Sequence, residues 1–230
     1  MDTTPHFQSD APTRLAPRLV TLVRWFDSWA GRKAGREYKP LQVDWVRCLP
    51  FVFMHVMCFA IFWVGWSWSA VMVAAALYVI RMFAITGFYH RYFSHRAFKT
   101  SRWFQFAGAA LGAASIQRGP LWWAAHHRRH HATSDQAEDT HSPRQHGFLW
   151  SHMGWFTAEV NFATNLRAVP DLVKFPELCF LDRFDIIVPL LLAAFLYGCG
   201  AALATLAPGL ETSGVQMLIW GFFVSTVVLY

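Results

Sequence analysis

The chain has 230 residues, of which 55% are hydrophobic and only 15% are charged, whereas soluble domains average about 25% charged residues. This composition excludes a disordered, collagen-like or coiled-coil chain, and the aromatic content of 17% suits a lipid interface better than a small aqueous core. The net charge of +6 is compatible with nucleic acid, anionic lipid or an anionic substrate, so its distribution along the chain must decide.

The first 45 residues contain no apolar run of the kind found in a signal peptide, so we expect a cytosolic amino-terminal tail over 1–45. Within it, residues 15–30 place polar side chains three apart among leucine, valine and aromatic residues, which predicts an interfacial amphipathic helix. A loose basic tail is the alternative.

Four apolar segments predict an all-α integral membrane protein with four transmembrane helices. They are residues 48–67, 69–89, 184–206 and 215–230. The last segment ends at Tyr230 after a length of about 24 Å at 1.5 Å per residue, less than the roughly 30 Å hydrocarbon core of a bilayer. We therefore expect a fourth helix that is cut short.

In this four-helix topology, all but one of the basic residues lie on the same side of the membrane. Eight Lys or Arg precede residue 48 and eleven lie between 91 and 183, which leaves only Arg81 within a predicted span. The positive-inside rule assigns that side to the cytosol, so the net charge indicates membrane topology and argues against nucleic-acid binding. Arg81 is expected either to line a polar interior or pair with a carbonyl there, or to snorkel to the interface.

Nine of the eleven histidines lie between residues 90 and 152, on the predicted cytosolic side. If 121–131 is helical, His127 and His131 share one face four residues apart, with His130 beside them, within reach of a metal ion. His126 and His130 form a rival pair at the same spacing, which leaves the register open by one residue.

His90 and His95 are five residues apart, about 140° around an α-helix, and can share one ion only if the helix ends or bends between them. Otherwise each is expected to serve a different ion, and a dinuclear centre accommodates both spacings. No cysteine lies near the cluster, which disfavours structural zinc, but affinity alone does not choose among iron, copper and zinc. A basic surface for lipid headgroups would explain Arg128 and Arg129 but not the spaced histidines.

These motifs together resemble the membrane fatty acid desaturases, most closely the acyl-CoA desaturase branch that includes the stearoyl-CoA, delta-9 enzymes, in its bacterial form. The resemblance covers the chain from about residue 45 and is carried by two histidine boxes and four flanking segments. These are HRYFSH at 90–95, HRRHH at 127–131, FKTSR at 98–102, GPLWWAA at 119–125, DTHS at 139–142 and GFLWSHMGW at 147–155.

The resemblance implies a diiron centre in a cytosolic helical cap, with five of the family's nine ligand histidines present here. They are His90, His95, His127, His130 and His131. In the family the remaining ligands lie further along the chain, after the fourth transmembrane helix and in a third histidine box. We therefore expect this sequence to stop before the metal site is complete.

Further site residues follow from the resemblance alone. Gln117 and Trp123 match family positions where the acyl tunnel bends, and His141 and His152 match positions near the site that are not ligands. We interpret the two histidines as groups that orient ligands through hydrogen bonds. The 46–230 segment is then the desaturase domain.

The activity implied is O2-dependent insertion of a double bond into a saturated acyl chain, at an integral protein of the bacterial inner membrane. Removal of hydrogen from an unactivated methylene requires an iron-derived oxidant rather than a side-chain acid or base. The implied partners are a fatty acyl-CoA or other acyl lipid, membrane lipid, and a separate ferredoxin-, rubredoxin- or cytochrome-type electron donor. The alternatives are a histidine-box hydroxylase or alkane monooxygenase, and a truncated, non-catalytic paralogue.

Overall fold

The computed structural model describes residue 20 and residues 22–30 and 43–230. Over these residues the secondary structure is helical, with a single antiparallel bridge between Val43 and Ala158 and no strand. The all-α prediction is thereby confirmed for the described part of the chain.

The helices, in chain order, are α1 Trp45–Cys58, α2 Ile61–Val64, α3 Trp68–Phe83, π1 Ala84–Ser94, α4 Arg102–Ala113, α5 Pro120–Ala132, α6 Pro143–His146, π2 Trp150–Gly154, α7 Trp155–Thr157, α8 Pro176–Arg183, α9 Ile187–Leu206, α10 Gly214–Leu218, π3 Ile219–Val224 and α11 Ser225–Leu229. The π-helices have i→i+5 hydrogen bonds and therefore a wider turn than their α-helical neighbours. Short 3₁₀ turns occupy Glu159–Asn161, Leu166–Ala168 and Pro208–Leu210.

Three helical stretches are long and apolar enough to cross a membrane: Trp45–Val64, Trp68–Ser94 and Ile187–Leu206. The second is 27 residues long and runs five residues beyond the predicted end at residue 89. The fourth predicted span corresponds to Gly214–Leu229, which is a shorter apolar helix. The described residues thus contain three candidate spans, and a fourth crossing is not established by length.

Side-chain caps and exposed tryptophans mark the ends of the first hairpin. Asp44 accepts a hydrogen bond from the Arg47 N–H at the start of α1, and Ser67 caps α3 in the same way. Trp45 is 73% exposed at one end of the first span and Trp63 is 82% exposed at the other. Exposed tryptophan at both ends is typical of the two membrane–water interfaces.

The Gly214–Leu229 helix is the most enclosed of the apolar helices and packs in the centre of the bundle. It contributes the largest share of an apolar cluster whose buried members are Met54, Leu196, Ile219, Phe222 and Phe223. A second cluster lies under the histidine region, and its buried members include Phe88, Tyr89, Phe93, Leu121, Ala124 and Leu178.

Arg81 lies inside the bundle, with only 1% of its surface exposed. Its guanidinium donates to Thr226 Oγ1 at 2.7 Å, to Ser225 Oγ, and to the carbonyl oxygens of Ala114 at 3.2 Å and Leu77 at 3.1 Å. Of the two expectations, the polar interior is therefore correct and snorkelling is wrong. The guanidinium joins the second span to the last apolar helix through hydroxyl groups.

We expect Thr226→Val to lower the stability of the fold, because the isosteric side chain removes an acceptor from a buried guanidinium. Hydrogen bonds to charged groups contribute about 1.5–3 kcal/mol. The midpoint of thermal unfolding in detergent should fall for Thr226→Val and stay unchanged for the control Thr205→Val, because Thr205 is exposed and bonds only to the Ala202 carbonyl. Equal midpoints for the two variants would contradict this account.

Helix α4 approaches π1 closely because glycines face two aromatic rings. A Cβ added at Gly108 would lie 2.0 Å from Phe88 Cδ1, and one added at Gly112 would lie 2.1 Å from Tyr89 Cε1. Both rings are buried, so neither can move aside cheaply. This contact fixes the position of π1, which carries the first histidine box.

Gly112→Ala is accordingly expected to destabilise the protein by about 1–3 kcal/mol through overpacking. Gly198→Ala in α9 is the matched control, because no atom lies within 4 Å of its added Cβ. There the gain in helix propensity, up to about 1 kcal/mol, should dominate. Chemical or thermal unfolding of both variants checks the difference, and a neutral Gly112→Ala would show that Tyr89 is free to move.

Only part of the predicted amphipathic helix over 15–30 falls within the described residues. There, residues 24–30 form turns and irregular backbone, so the helix does not extend as far as predicted. Tertiary hydrogen bonds account for the difference: Ser28 Oγ donates to the Asp182 carbonyl and Trp29 Nε1 donates to Asp182 Oδ2, each at 2.8 Å. This segment is therefore attached to α8, the helix that precedes the third span, and is not a loose tail.

Candidate metal centre

The first histidine box lies at the carboxyl end of π1. The N–H of His95 donates to the carbonyl of His90 at 3.1 Å, an i→i+5 bond that continues the π-helical pattern. Residues five apart are therefore stacked along one side rather than turned about 140° away, as they would be on an α-helix. The condition for one shared ion, an end or bend of the helix between His90 and His95, is met here as a change of helical pitch.

The second box lies on α5, as predicted, and the structure decides its register. Gly119 and Pro120 begin the helix, and His127 and His131 then face π1, with ring centroids 4.6 Å apart. His130 points elsewhere, so the prediction that it would join the other two at one ion is not met.

Four imidazoles from the two boxes converge. Their ligand nitrogens, one each from His90, His95, His127 and His131, all lie within 4.8 Å of one another. Nε2 of His95 is 3.1 Å from Nε2 of both His90 and His127, and Nε2 of His131 is 3.0 Å from Nε2 of His127. Ligands held at about 2.1 Å from one ion and at right angles to each other would lie about 3.0 Å apart.

Hydrogen bonding alone does not account for these three contacts. A neutral imidazole Nε2 either donates one proton or accepts with one lone pair. The four nitrogens form a row in the order His90, His95, His127 and His131, with three contacts between neighbours. Because each nitrogen can take part in only one hydrogen bond, at most two of the three contacts can be hydrogen bonds at one time. A cation bound by all four lone pairs satisfies every nitrogen, so the donor set fits a metal ion.

The electrostatics keep the rings of His127 and His131 free of extra protons. Burial, reinforced by the neighbouring imidazoles of His90 and His131, lowers the pKa of His127 to about 3. Burial and the His95 imidazole also lower the pKa of His131. Neutral imidazole is the form that binds metal, so these residues are preset as ligands at physiological pH.

Arg128 connects the two histidine boxes through hydrogen bonds. Its guanidinium donates to the carbonyl oxygens of Phe93 at 2.6 Å and Ser94 at 3.2 Å, the last residues of π1. It also forms a two-pronged ion pair with Asp171, at 2.7 and 2.9 Å. Burial would raise the pKa of Asp171, but the hydrogen bonds and charge of Arg128 lower it. The otherwise unpaired carbonyls at the end of π1 are thus satisfied from α5.

Asp182 fixes the other end of α5. Its carboxylate accepts from the backbone N–H of Trp122 at 2.7 Å and from Thr164 Oγ1 at 2.8 Å. A carboxylate at this position also complements the positive end of the helix dipole. A Cβ at Gly119 would lie 2.3 Å from Asp182 Cα, so glycine is required for the close approach.

His130 belongs to a separate group beside the cluster. Its Nδ1 lies 3.0 Å from both carboxylate oxygens of Asp139, and its ring packs against His141 with centroids 4.3 Å apart. Burial would raise the pKa of Asp139, but hydrogen bonds from His130 and from the N–H groups of Asp135 and His141 lower it. A carboxylate on Nδ1 leaves Nε2 of His130 as the metal-binding nitrogen, which is the arrangement that orients many histidine ligands.

Of the other predicted residues near the ligands, His141 lies at the site and His152 does not. His141 Nδ1 is 3.3 Å from the Ser151 carbonyl, and its ring stacks on Trp155 with centroids 5.0 Å apart. His152 is exposed and stacks on Phe148 at 5.5 Å. The expectation that His152 orients a ligand is therefore not supported by its position.

Trp123 lies directly against the cluster, whereas Gln117 lies in the turn that precedes α5. The Trp123 ring stacks on His127, with centroids 4.7 Å apart. Gln117 is half-buried between Ile116 and Arg118, which have φ angles of 59° and 70°. Left-handed backbone at two non-glycine residues is costly and is typical of functional sites.

A cavity of about 130 Å³ opens beside α5. Its wall combines aromatic and polar side chains, among them Trp122, Trp123, Trp155, His130, Asp139 and His141. The site therefore offers a partly open, largely aromatic space next to the histidine cluster.

Sequence reasoning overlooked three residues: Arg128, Asp139 and Asp182. In the sequence, Asp139 belongs to the DTHS motif and Arg128 to a basic stretch, and neither pattern indicates a role. The distinguishing feature is burial, since Asp139 and Asp182 are each 1% exposed. The sequence alone does not show which carboxylates are buried.

The fold and the site define a helical protein with membrane-spanning helices and four imidazoles arranged to hold a metal ion. The fatty acid desaturase family profile matches residues 66–230. The chain belongs to the fatty acid desaturase family.

The chain is similar to several curated proteins that are named as desaturases. The chain is 32% identical over 192 residues to the sn-1 stearoyl-lipid 9-desaturase of Anabaena variabilis, covering 82% of this chain and 65% of that protein. It is 36% identical to the chloroplastic palmitoyl-monogalactosyldiacylglycerol delta-7 desaturase of Arabidopsis thaliana, covering 94% and 52%. An acyl-CoA 5-desaturase of Anemone leveillei is 32% identical, covering 95% and 60%. The chain thus spans between about half and two thirds of these relatives.

We predict that His127→Ala lowers the metal content of the purified chain at least about tenfold, because even partners outside the ligand shell cost 10–100-fold in affinity. The measurement is iron per polypeptide by elemental analysis after anaerobic loading and desalting. His152→Gln is the control, because this exposed ring lies on Phe148, and it should retain the parental iron content. Loss of iron in His152→Gln would restore its predicted role.

Proposed function

We propose that the chain acts in fatty acyl desaturation, the O2-dependent conversion of a saturated acyl chain to an unsaturated one, with two irons and two electrons from a separate donor protein. The observation that carries this proposal is the convergence of four histidine nitrogens from both boxes of a fatty acid desaturase family member. The names of the relatives, which are desaturases of acyl lipids or of acyl-CoA, support the substrate class.

The first iron would be held by His90, His95, His127 and His131, and the second by His130 together with ligands from elsewhere in the protein. Such a pair would supply the oxidant that removes hydrogen from an unactivated methylene. Support for the second position comes from the Asp139 carboxylate on Nδ1 of His130, which leaves Nε2 available.

The protein's own contribution would be positional. Asp139 and His141 hold the His130 ring, and Trp123 covers one face of His127. We propose that Trp123 and Gln117 border the path of the acyl chain and exclude water beside the ligands. A rigid aromatic wall would hold one C–C bond in a reactive geometry, which is the usual source of regioselectivity in such reactions.

The proposed topology has four crossings, with Gly214–Leu229 as the fourth, a cytosolic tail over 1–45, and a desaturase domain over 46–230 whose histidine region, 90–183, is cytosolic. It rests on the basic residues that precede residue 48 or lie in that region. The membrane would be the bacterial inner membrane. The acyl carrier would be coenzyme A or a glycerolipid, the bond delta-9, and the donor a ferredoxin-, rubredoxin- or cytochrome-type protein.

Product analysis tests the proposal. The iron-loaded chain in lipid vesicles is given O2, chemically reduced ferredoxin and a saturated acyl substrate, either as acyl-CoA or as a glycerolipid. When the second iron also has its remaining ligands, mass spectrometry of the fatty acids should show a new double bond, and the His131→Ala variant should yield none because it lacks one of the four ligands. A hydroxylated product would favour the monooxygenase alternative. Absence of any oxidised product from an iron-loaded chain would favour the non-catalytic one.

A further inference from the structure

A patch of exposed apolar side chains lies outside the candidate spans, on the segment 147–153. Phe148 is 71% exposed, Leu149 is 72% exposed and Met153 is 38% exposed. They lie on and just before π2, on the outer side of the histidine region. Large adjacent apolar side chains are seldom left in water and generally indicate an interaction surface.

The patch continues the lipid-facing surface of the first span. Directly after π2, residues 155–158 pack on the start of α1. The Asp44 N–H donates to the Thr157 carbonyl at 3.1 Å, and the rings of Phe51 and Phe156 lie 5.4 Å apart. From Trp155 back to Leu149 the chain is helical or nearly so, a rise of about 9 Å. The patch therefore lies within about 9 Å of residues that contact the end of the span that exposed Trp45 marks.

This distance is comparable to the thickness of the bilayer interface. The polar headgroup region adds about 5–8 Å to each side of the hydrocarbon core, and exposed tryptophan marks that level. Arg144, also exposed, precedes the patch by four residues, where a cation would meet lipid phosphate. Continuity with the membrane-facing surface favours lipid over a protein partner.

We propose that Phe148, Leu149 and Met153 insert into the membrane interface as a lipid-docking surface. This inference goes beyond the proposed catalytic function and depends only on the membrane spans. The opposite side of the same segment contacts the site: Trp150 Nε1 donates to the Thr140 carbonyl at 3.1 Å, and Trp155 stacks on His141. Docking would thus tie the bilayer surface to the loop that holds His130.

Site-specific quenching tests the proposal on the full chain in vesicles of phosphatidylcholine and phosphatidylglycerol. The four native cysteines are replaced by alanine, and an environment-sensitive fluorophore is attached at Leu149→Cys. Phosphatidylcholine brominated near the headgroup should quench this probe, and aqueous iodide should not. Met153→Cys provides an independent second position should the first variant fail to fold.

Two matched positions calibrate the result. A probe at Val52→Cys, on the exposed side of the first span, should be quenched by the brominated lipid. A probe at Gln136→Cys, in an exposed polar loop, should be quenched by iodide alone. Quenching of the Leu149 probe by iodide would mean that the patch faces water, and protection from both quenchers would mean that protein covers it. Either result overturns the proposal, and neither depends on iron or activity.

Discussion

The candidate metal centre depends on one change of helical pitch. Over Ala84–Ser94 the second span becomes a π-helix, whose hydrogen bonds join residues five apart. His90 and His95 then lie on the same side, and both reach the imidazoles of α5. On a regular α-helix the same two residues would diverge by about 140°, and four nitrogens would not meet. The spacing of the first box therefore matches a π-helix and not an α-helix.

A π-helix is rare because its hydrogen-bond geometry is less favourable, so the surroundings must hold it in place. Packing holds one side, where Gly108 and Gly112 of α4 admit the rings of Phe88 and Tyr89. Hydrogen bonding holds the carboxyl end, where Arg128 binds two of the last carbonyls. Because Arg128 immediately follows a ligand residue on α5, the same contact that stabilises π1 also brings the second box to the first.

Composition and periodicity predicted the helical class and the first three spans to within a few residues, because long apolar runs depend on local sequence alone. The sequence also predicted the two boxes as metal sites. It left open whether His90 and His95 share one ion, since helical pitch is set by packing against α4 and α5. Nor could it place His130 apart from His131, or His152 on Phe148, because these orientations depend on contacts with distant residues such as Asp139.

Asp139 lies beside the four-histidine cluster and contacts His130 without belonging to the cluster. That cluster contains neither carboxylate nor thiolate, so an ion bound there keeps its full positive charge. Imidazole ligands in place of anionic ones raise the reduction potential of iron–sulfur centres, and these four residues would shift the potential of a bound iron in the same direction. The Asp139 carboxylate lies on Nδ1 of His130, where it would increase the basicity of the His130 ring without entering the cluster. The second box, HRRHH, thus places its histidines in two environments from a single turn of helix. His127 and His131 join the cluster, and His130 contacts Asp139.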